Sequence, residues 1–242
     1  MTNPVFNQKA IESERILDGE PMTINGAINK TFILFAFLLG GSLAVWNLFA
    51  QGAMDKASML GITGLVTSII AFIVIMVNRK TLPVAAPVYA LSEGLVLGWI
   101  SAMVEKSYPG IAIQAVGLTL AALFAMLFLY RIGAIRCTEK FRSVLMISMF
   151  SIVGIYIINF LGSFFGLHVP QLFSPSPIGI GFSLVVVTIA SLNLIIDFDF
   201  IEQGARGMLD KNMEWYGAFG LVVTIVWLYI EILNLLSKLR NR

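Results

Sequence analysis

Four acidic residues lie inside long apolar runs of this sequence or at their ends: Glu93, Asp197, Asp199 and Glu231. Placing an ionised carboxylate at the centre of a bilayer costs about 2.5–3.5 kcal/mol on insertion scales. Each acid is therefore expected to hold a proton, share one with a second acid, contact water or bind a cation. The chemistry open to these residues is proton binding coupled to the binding or passage of a cation.

The acids differ in their surroundings. Glu93 is almost at the centre of its run, where a structural hydrogen bond to a neighbouring helix is the alternative role, and Glu231 follows 16 largely apolar residues. Asp197 is the last residue of the sixth run, where a position at the membrane interface and a position in a pore are about equally expected. Asp199 and Glu202 are interpreted as solvated charges at the end of a helix. No Lys or Arg lies within an apolar run to offset these charges.

The composition indicates an all-α integral membrane protein. Of the 242 residues, 58% are apolar and only 12% are charged, whereas about 25% of the residues in soluble domains are charged. A water-soluble globular enzyme is therefore excluded. A membrane span needs about 20 apolar residues, and seven such runs predict a seven-helix bundle. They cover about 31–50, 58–77, 82–103, 111–130, 143–166, 177–197 and 215–236.

Short polar segments flank and connect these runs. Residues 1–30 are predicted to be a polar cytoplasmic tail, 31–236 the membrane domain and 237–242 a short basic tail. No connection is long enough to form a second domain. The first residues lack the features of a signal peptide, so we expect nothing to be removed.

Small residues predict where helices approach one another. Gly94 and Gly98 are four residues apart in the third run, and Gly179, Gly181 and Ser183 form a series in the sixth. Such residues permit close contact between membrane helices.

The distribution of Lys and Arg predicts the orientation. With the N-terminus inside, the inner segments carry eleven of these residues and the outer ones five, which favours a cytoplasmic N-terminus and an external C-terminus. The basic C-terminal tail opposes the final crossing, so six spans plus a re-entrant last helix remain an alternative. The predicted location is the cell membrane, crossed several times.

Several classes of active site are missing from the sequence. Cys137 and His168 are the only residues of their types, which excludes paired-cysteine and HExxH metal sites. There is no P-loop, and no lysine lies within the last run to hold a retinal. We therefore expect no enzymatic activity, no bound cofactor and no nucleic-acid partner.

The spacing of Asp197 and Glu231 suggests that they could meet. They are 34 residues apart, so a symmetric helical hairpin would turn near residue 214. They could face each other only if the sixth helix continues well past Asp197. Arg79 and Lys80, at the predicted inner end of the second run, lie on the same side as Asp197.

Three stretches of the chain resemble the Bax inhibitor-1 family of membrane proteins. They are EGLVLGWISAMVEKSYPGIAIQA (93–115), GIGFSLVVVTIASLNLIIDFDFIEQGA (179–205) and MEWYGAFGLVVTIVWLYIEILNLL (213–236). DFDFIE and EWY are most similar to the bacterial branch of the family, which implies a bacterial inner membrane.

The resemblance implies a bundle of seven helices with the last one central. It also implies a pH-sensitive calcium leak channel with two proton-sharing carboxylates. These map onto Asp197 and Glu231, which would also contact calcium transiently, and the family's arginine latch maps onto Arg79. Two departures are that Glu231 replaces the aspartate of better-studied members and that the connection between the last two helices is longer.

Three functions compete at this stage. The first is the pH-gated cation leak, although Ca²⁺ takes about 6–8 oxygen ligands, more than the acids supply. The second is a non-transporting regulator that binds another membrane protein, such as a membrane-anchored protease. The third is a proton-coupled transporter, which buried acids would also suit, although no sequence repeat is visible.

Overall fold

The computed structural model describes residues 20–165 and 170–241, so the polar tail up to residue 19 and His168 lie outside the described residues. Apart from an isolated bridge between Pro21 and Asp210, the regular secondary structure of these residues is helical. The helices are α1 (Ile24–Ala50), α2 (Met54–Val77), a 3-10 turn (Arg79–Thr81), α3 (Leu82–Ser107), α4 (Ile111–Arg131), α5 (Glu139–Phe164), α6 (Pro170–Phe173), α7 (Pro177–Arg206) and α8 (Met213–Arg240).

Seven of these helices, all except the short α6, are long and apolar enough to cross a membrane, which confirms the predicted fold class. Their burial differs widely: 56% of the most apolar stretch of α8 is buried, against 11% of that of α5. With 28 residues at a rise of about 1.5 Å each, α8 exceeds the roughly 30 Å hydrocarbon core.

The helices extend beyond the apolar runs. α1 begins at Ile24 rather than 31, because the Thr23 hydroxyl accepts a hydrogen bond from the Gly26 N–H at 2.9 Å and caps the helix. α7 continues nine residues past Asp197 to Arg206. Only residues 207–212 then connect α7 to α8, so the predicted long connection is wrong, and the turn lies a few residues before the predicted position near 214. Hydropathy does not detect these ends, because a polar turn continues a helix as well as an apolar one.

The described residues form two compact units. Unit 1 contains residues 20–100 and Asp197–Val222, and unit 2 contains 101–165, 170–196 and 223–241.

Glycines allow close helix packing in unit 1. A side chain on Gly94 would overlap with the Leu38 carbonyl of α1, and a Cβ on Gly98 would lie 2.7 Å from the Ser42 carbonyl oxygen. The Ser42 hydroxyl donates a hydrogen bond to the Gly94 carbonyl at 3.0 Å. The prediction for Gly94 and Gly98 is confirmed.

The glycines of α7 behave differently within unit 2. Gly179 lies against the Ser174 carbonyl of the preceding connection, and Gly181 faces open space. The prediction that Gly181 marks a close helix contact is therefore wrong.

Candidate functional site

Glu231 is a buried carboxyl on α8 in unit 2, with 3% of its surface exposed. The Tyr156 hydroxyl of α5 donates a hydrogen bond to Oε1 at 2.7 Å, and the Trp227 indole N–H donates to the same oxygen at 3.2 Å. Oε2 is buried and has no hydrogen-bond partner among the described residues. A carboxyl with one satisfied and one unsatisfied oxygen has room for a proton or for a cation on Oε2.

Aromatic rings enclose the Tyr156 side of this site. The Tyr156 ring centroid is 5.7 Å from that of Phe173 and 6.4 Å from that of Phe182. Rings in such tilted or edge-on arrangements stabilise one another. The cluster fixes the hydroxyl that bonds to Glu231 and surrounds it with apolar surface.

Lys238 is a second buried charge in unit 2 that sequence reasoning missed. The sequence predicted a short basic tail from residue 237, but α8 extends to Arg240 and only 5% of the Lys238 surface is exposed. Its ammonium donates hydrogen bonds to the Leu172 carbonyl at 3.0 Å, the Gly179 carbonyl at 3.2 Å and the Ser183 hydroxyl at 2.8 Å. Lys238 lies outside the apolar run 215–236 but inside the helix that extends this run to Arg240. The sequence signal that could have identified Lys238 is its spacing of seven residues, two helical turns, from Glu231.

Asp197 lies on α7 in unit 1. The sequence predicted the end of this helix at Asp197, but the helix continues to Arg206. The Asp197 side chain is half-buried. Oδ1 lies 3.5 Å from the position that a Cβ on Gly220 of α8 would occupy. The Asp197 carboxyl therefore lies beside Gly220 of the last helix, at a distance of ordinary van der Waals contact from a Cβ there.

Arg79 borders the same stretch of α8. It lies in the 3-10 turn after α2, half-buried, with its guanidinium carbon 5.0 Å from the centroid of the Tyr216 ring. Stacking of this kind is favourable for arginine. Because Tyr216 and Gly220 are one helical turn apart, Arg79 and Asp197 contact neighbouring positions on one face of α8. The predicted ion pair between them stays a prediction, but both side chains lie beside the same two turns.

Asp199 is not a solvated end-of-helix charge. It is 8% exposed, and the Gln203 side-chain amide donates a hydrogen bond to its Oδ2 at 2.7 Å. The interpretation failed because α7 continues to Arg206 and buries this turn. Glu202 is about one-third exposed and forms an ion pair with Arg206, one turn later on the same helix.

Glu93 occupies the middle of α3 in unit 1 and is half-buried. The Ser68 hydroxyl of α2 faces its carboxyl, and Tyr89 lies one helical turn before it. A hydroxyl of a neighbouring helix thus lies beside this acid. This agrees with the alternative role of Glu93, a structural hydrogen bond to a neighbouring helix.

Unit 1 contains a further ionic site, which the sequence analysis did not predict. Glu214, 2% exposed, forms an ion pair with the Lys30 ammonium and accepts hydrogen bonds at 2.9 Å from both the backbone N–H and the hydroxyl of Thr23. Lys30 also lies 5.4 Å from the ring centroid of Trp215. These contacts join the start of α1 to the start of α8. The two helices therefore begin on the same side, as six crossings between them require.

The segment before α1 extends this junction. The Met22 N–H donates to the Leu209 carbonyl at 2.7 Å, and the exposed Lys211 and Glu20 form an ion pair. The hydrogen bond and the charge of Lys211 lower the pKa of the Glu20 carboxyl, and Glu20 raises the pKa of Lys211 in return. Residues 20–22, just before α1, are thus attached to the connection between α7 and α8.

Replacement of Gly26 by Ala should destabilise this junction, because a Cβ at Gly26 would overlap with the buried Glu214 carboxylate. Overpacking of this kind costs about 1–3 kcal/mol. Thermal unfolding of the purified protein in detergent measures the loss.

Gly40→Ala is the matched control, since Gly40 lies on the same helix and a Cβ there meets open space. Equal melting temperatures for the Gly26→Ala variant and this control would contradict the described junction.

The described residues contain no group of three His, Cys, Asp or Glu side chains arranged to hold a metal ion. Transient calcium binding by Asp197 and Glu231 therefore stays a prediction. It would require backbone carbonyls and water in addition to carboxylates.

Taken together, the helices and the buried carboxyls define a seven-span membrane protein with ionisable groups inside its spans. A family model described as "Bax inhibitor 1 like" matches residues 3–241, nearly the whole chain, and the protein belongs to this family. No curated protein and no solved structure matches the chain.

Proposed function

We propose that the protein is a pH-sensitive leak channel for cations, calcium in the first instance, of the Bax inhibitor-1 type. The observation that carries the proposal is the Glu231 carboxyl, which is 3% exposed within a membrane span and has a buried Oε2 without a hydrogen-bond partner among the described residues. The protein is surrounded by the lipid bilayer, and the proposed ligand of the Glu231 carboxyl is a cation.

Competition between a proton and a cation supplies the pH sensitivity. An ionised carboxylate in a low-dielectric span is unfavourable unless a positive charge accompanies it. At low pH a proton neutralises Glu231, and at higher pH a passing cation does so. The Tyr156 and Trp227 donors both bind Oε1, which leaves Oε2 for the exchange.

Asp197 and Arg79 provide a gate in this proposal. Both side chains lie beside the first turns of α8, near Gly220 and Tyr216 respectively. An arginine–carboxylate contact there would hold this end of the pathway closed, and protonation of Asp197 would weaken the contact. Asp199 and Glu93 are further proton-binding groups on the proposed pathway.

Calcium flux into proteoliposomes, measured across a pH series, tests the proposal. The wild-type protein should conduct calcium with a pH-dependent rate, and Asp197→Asn should change that dependence. Glu139→Gln is the control, because Glu139 is an exposed acid in the first turn of α5. Flux no greater than in empty liposomes at every pH would overturn the channel and favour the non-transporting regulator.

A further inference from the structure

We propose that Lys238 is a tethered positive charge that obstructs cations at the C-terminal end of α8. The inference rests on the proposed cation leak and adds a second barrier to it, in unit 2. The obstruction is a buried ammonium that is hydrogen-bonded to three oxygen atoms and lies on the same face of α8 as Glu231.

The ammonium of Lys238 sits where a small cation would be bound. Two carbonyl oxygens, from Leu172 and Gly179, and the Ser183 hydroxyl oxygen surround Nζ at 2.8–3.2 Å. Three acceptors match the three N–H donors of an ammonium. The lysine therefore occupies an oxygen-lined position with its own cation, at 5% exposure.

Lys238 and Glu231 share one face of α8. They are seven residues apart, and two turns of an α-helix return to nearly the same direction after a rise of about 10.5 Å. On the proposed pathway, a cation that approaches Glu231 from this end of α8 passes close to the ammonium. Like charges repel strongly in a medium of low dielectric constant, where screening by water is weak.

The neighbouring Arg240 shows why the burial of Lys238 matters. Arg240 lies two residues later, is exposed, and donates hydrogen bonds to the Pro109 carbonyl at 2.8 Å and the Gln114 side-chain oxygen at 3.1 Å. It contributes a similar tether at the same end of α8, but its charge is exposed and points elsewhere. Removal of Arg240 is therefore a control for loss of a tether without loss of the buried charge.

Cation flux and ion selectivity of Lys238→Gln, Lys238→Met and Arg240→Met in proteoliposomes test the inference. Gln keeps hydrogen-bond donors for the carbonyl oxygens but removes the charge, so it guards against loss of folding in the Met variant. We expect Lys238→Gln to raise cation flux by about tenfold, the lower end of the effect of local charge on ion access. The reversal potential under a salt gradient should shift towards cation selectivity, which loss of a purely structural bond would not produce.

The charge-preserving Lys238→Arg should stay close to wild-type flux, and Arg240→Met should leave both flux and selectivity unchanged. A folded Lys238→Gln protein with wild-type flux and reversal potential would overturn the inference. If Arg79→Ala leaks in the same assay while Lys238→Gln does not, only this inference fails. If neither variant nor the wild type conducts at any pH, the proposed channel fails and this barrier with it.

Discussion

Replacement of Glu231 by Gln is expected to abolish most of the pH dependence of cation flux. Gln keeps the size of the side chain and an oxygen that can accept from the Tyr156 hydroxyl and the Trp227 indole, which lie 2.7 and 3.2 Å from Oε1. It cannot bind or release a proton. A single titrating group changes its protonated fraction by up to about tenfold per pH unit, so wild-type flux should vary on that scale and the variant far less.

Tyr156→Phe serves as the matched control for this result. It removes the shorter hydrogen bond to the carboxyl but keeps the carboxyl itself and the aromatic cluster with Phe173 and Phe182. The pH response should therefore persist in this variant. Full pH dependence in a folded Glu231→Gln protein would exclude Glu231 as the sensor and direct attention to Glu93.

The same assay decides whether Asp197 and Glu231 share a proton. Neighbouring groups that act together have non-additive effects, whereas distant ones add. A proton-sharing pair predicts that the Asp197→Asn, Glu231→Gln double variant differs little from either single variant. Additive shifts would mean that each acid binds its own proton.

Replacement of Arg79 by Ala is expected to raise the basal leak at neutral pH. The guanidinium lies over Tyr216, one turn from Gly220 and Asp197, so its removal takes a positive charge from the proposed closed end. A loss of 1–2 kcal/mol of preference for the closed state corresponds to an increase of about 5- to 30-fold in the open fraction. Calcium flux at a pH where the wild type is nearly closed measures it.

Two further substitutions serve as comparisons for Arg79→Ala. Arg79→Lys keeps the charge but loses the planar fork and the stacking on Tyr216, so its leak should be intermediate. Lys80→Ala should have no effect, because Lys80 is the exposed neighbour in the same 3-10 turn. A leak in Lys80→Ala together with wild-type behaviour in Arg79→Ala would assign the latch to the lysine.

Much of the fold could be predicted from the sequence, but the helix ends could not. Seven apolar runs were enough to count the spans, since the bilayer imposes both their length and their composition. The largest differences concern polar turns: residues 24–30, 198–206 and 237–240 are helical although they lie outside the runs. Hydropathy measures the preference of a segment for lipid, whereas a helix ends where its backbone hydrogen bonds find other partners.

Part of the candidate site could be predicted from the sequence. Glu231 and Glu93 could be identified because a carboxyl in an apolar run needs an explanation in any arrangement of the helices. Lys238 and Glu214 were overlooked because their residue types are ordinary near the ends of spans. Only their burial, at 5% and 2% exposure, distinguishes them.

The sequence by itself determined that this is a seven-span membrane protein of the Bax inhibitor-1 type with unusual carboxyls in its spans. The tertiary structure alone decided which groups these carboxyls contact: Tyr156 and Trp227 for Glu231, Gly220 for Asp197, and Lys30 and Thr23 for Glu214. The physical reason is that membrane spans are apolar on almost every side. Hydropathy therefore specifies that a helix enters the bilayer, while close packing and a few hydrogen bonds specify which of its faces meets which neighbour.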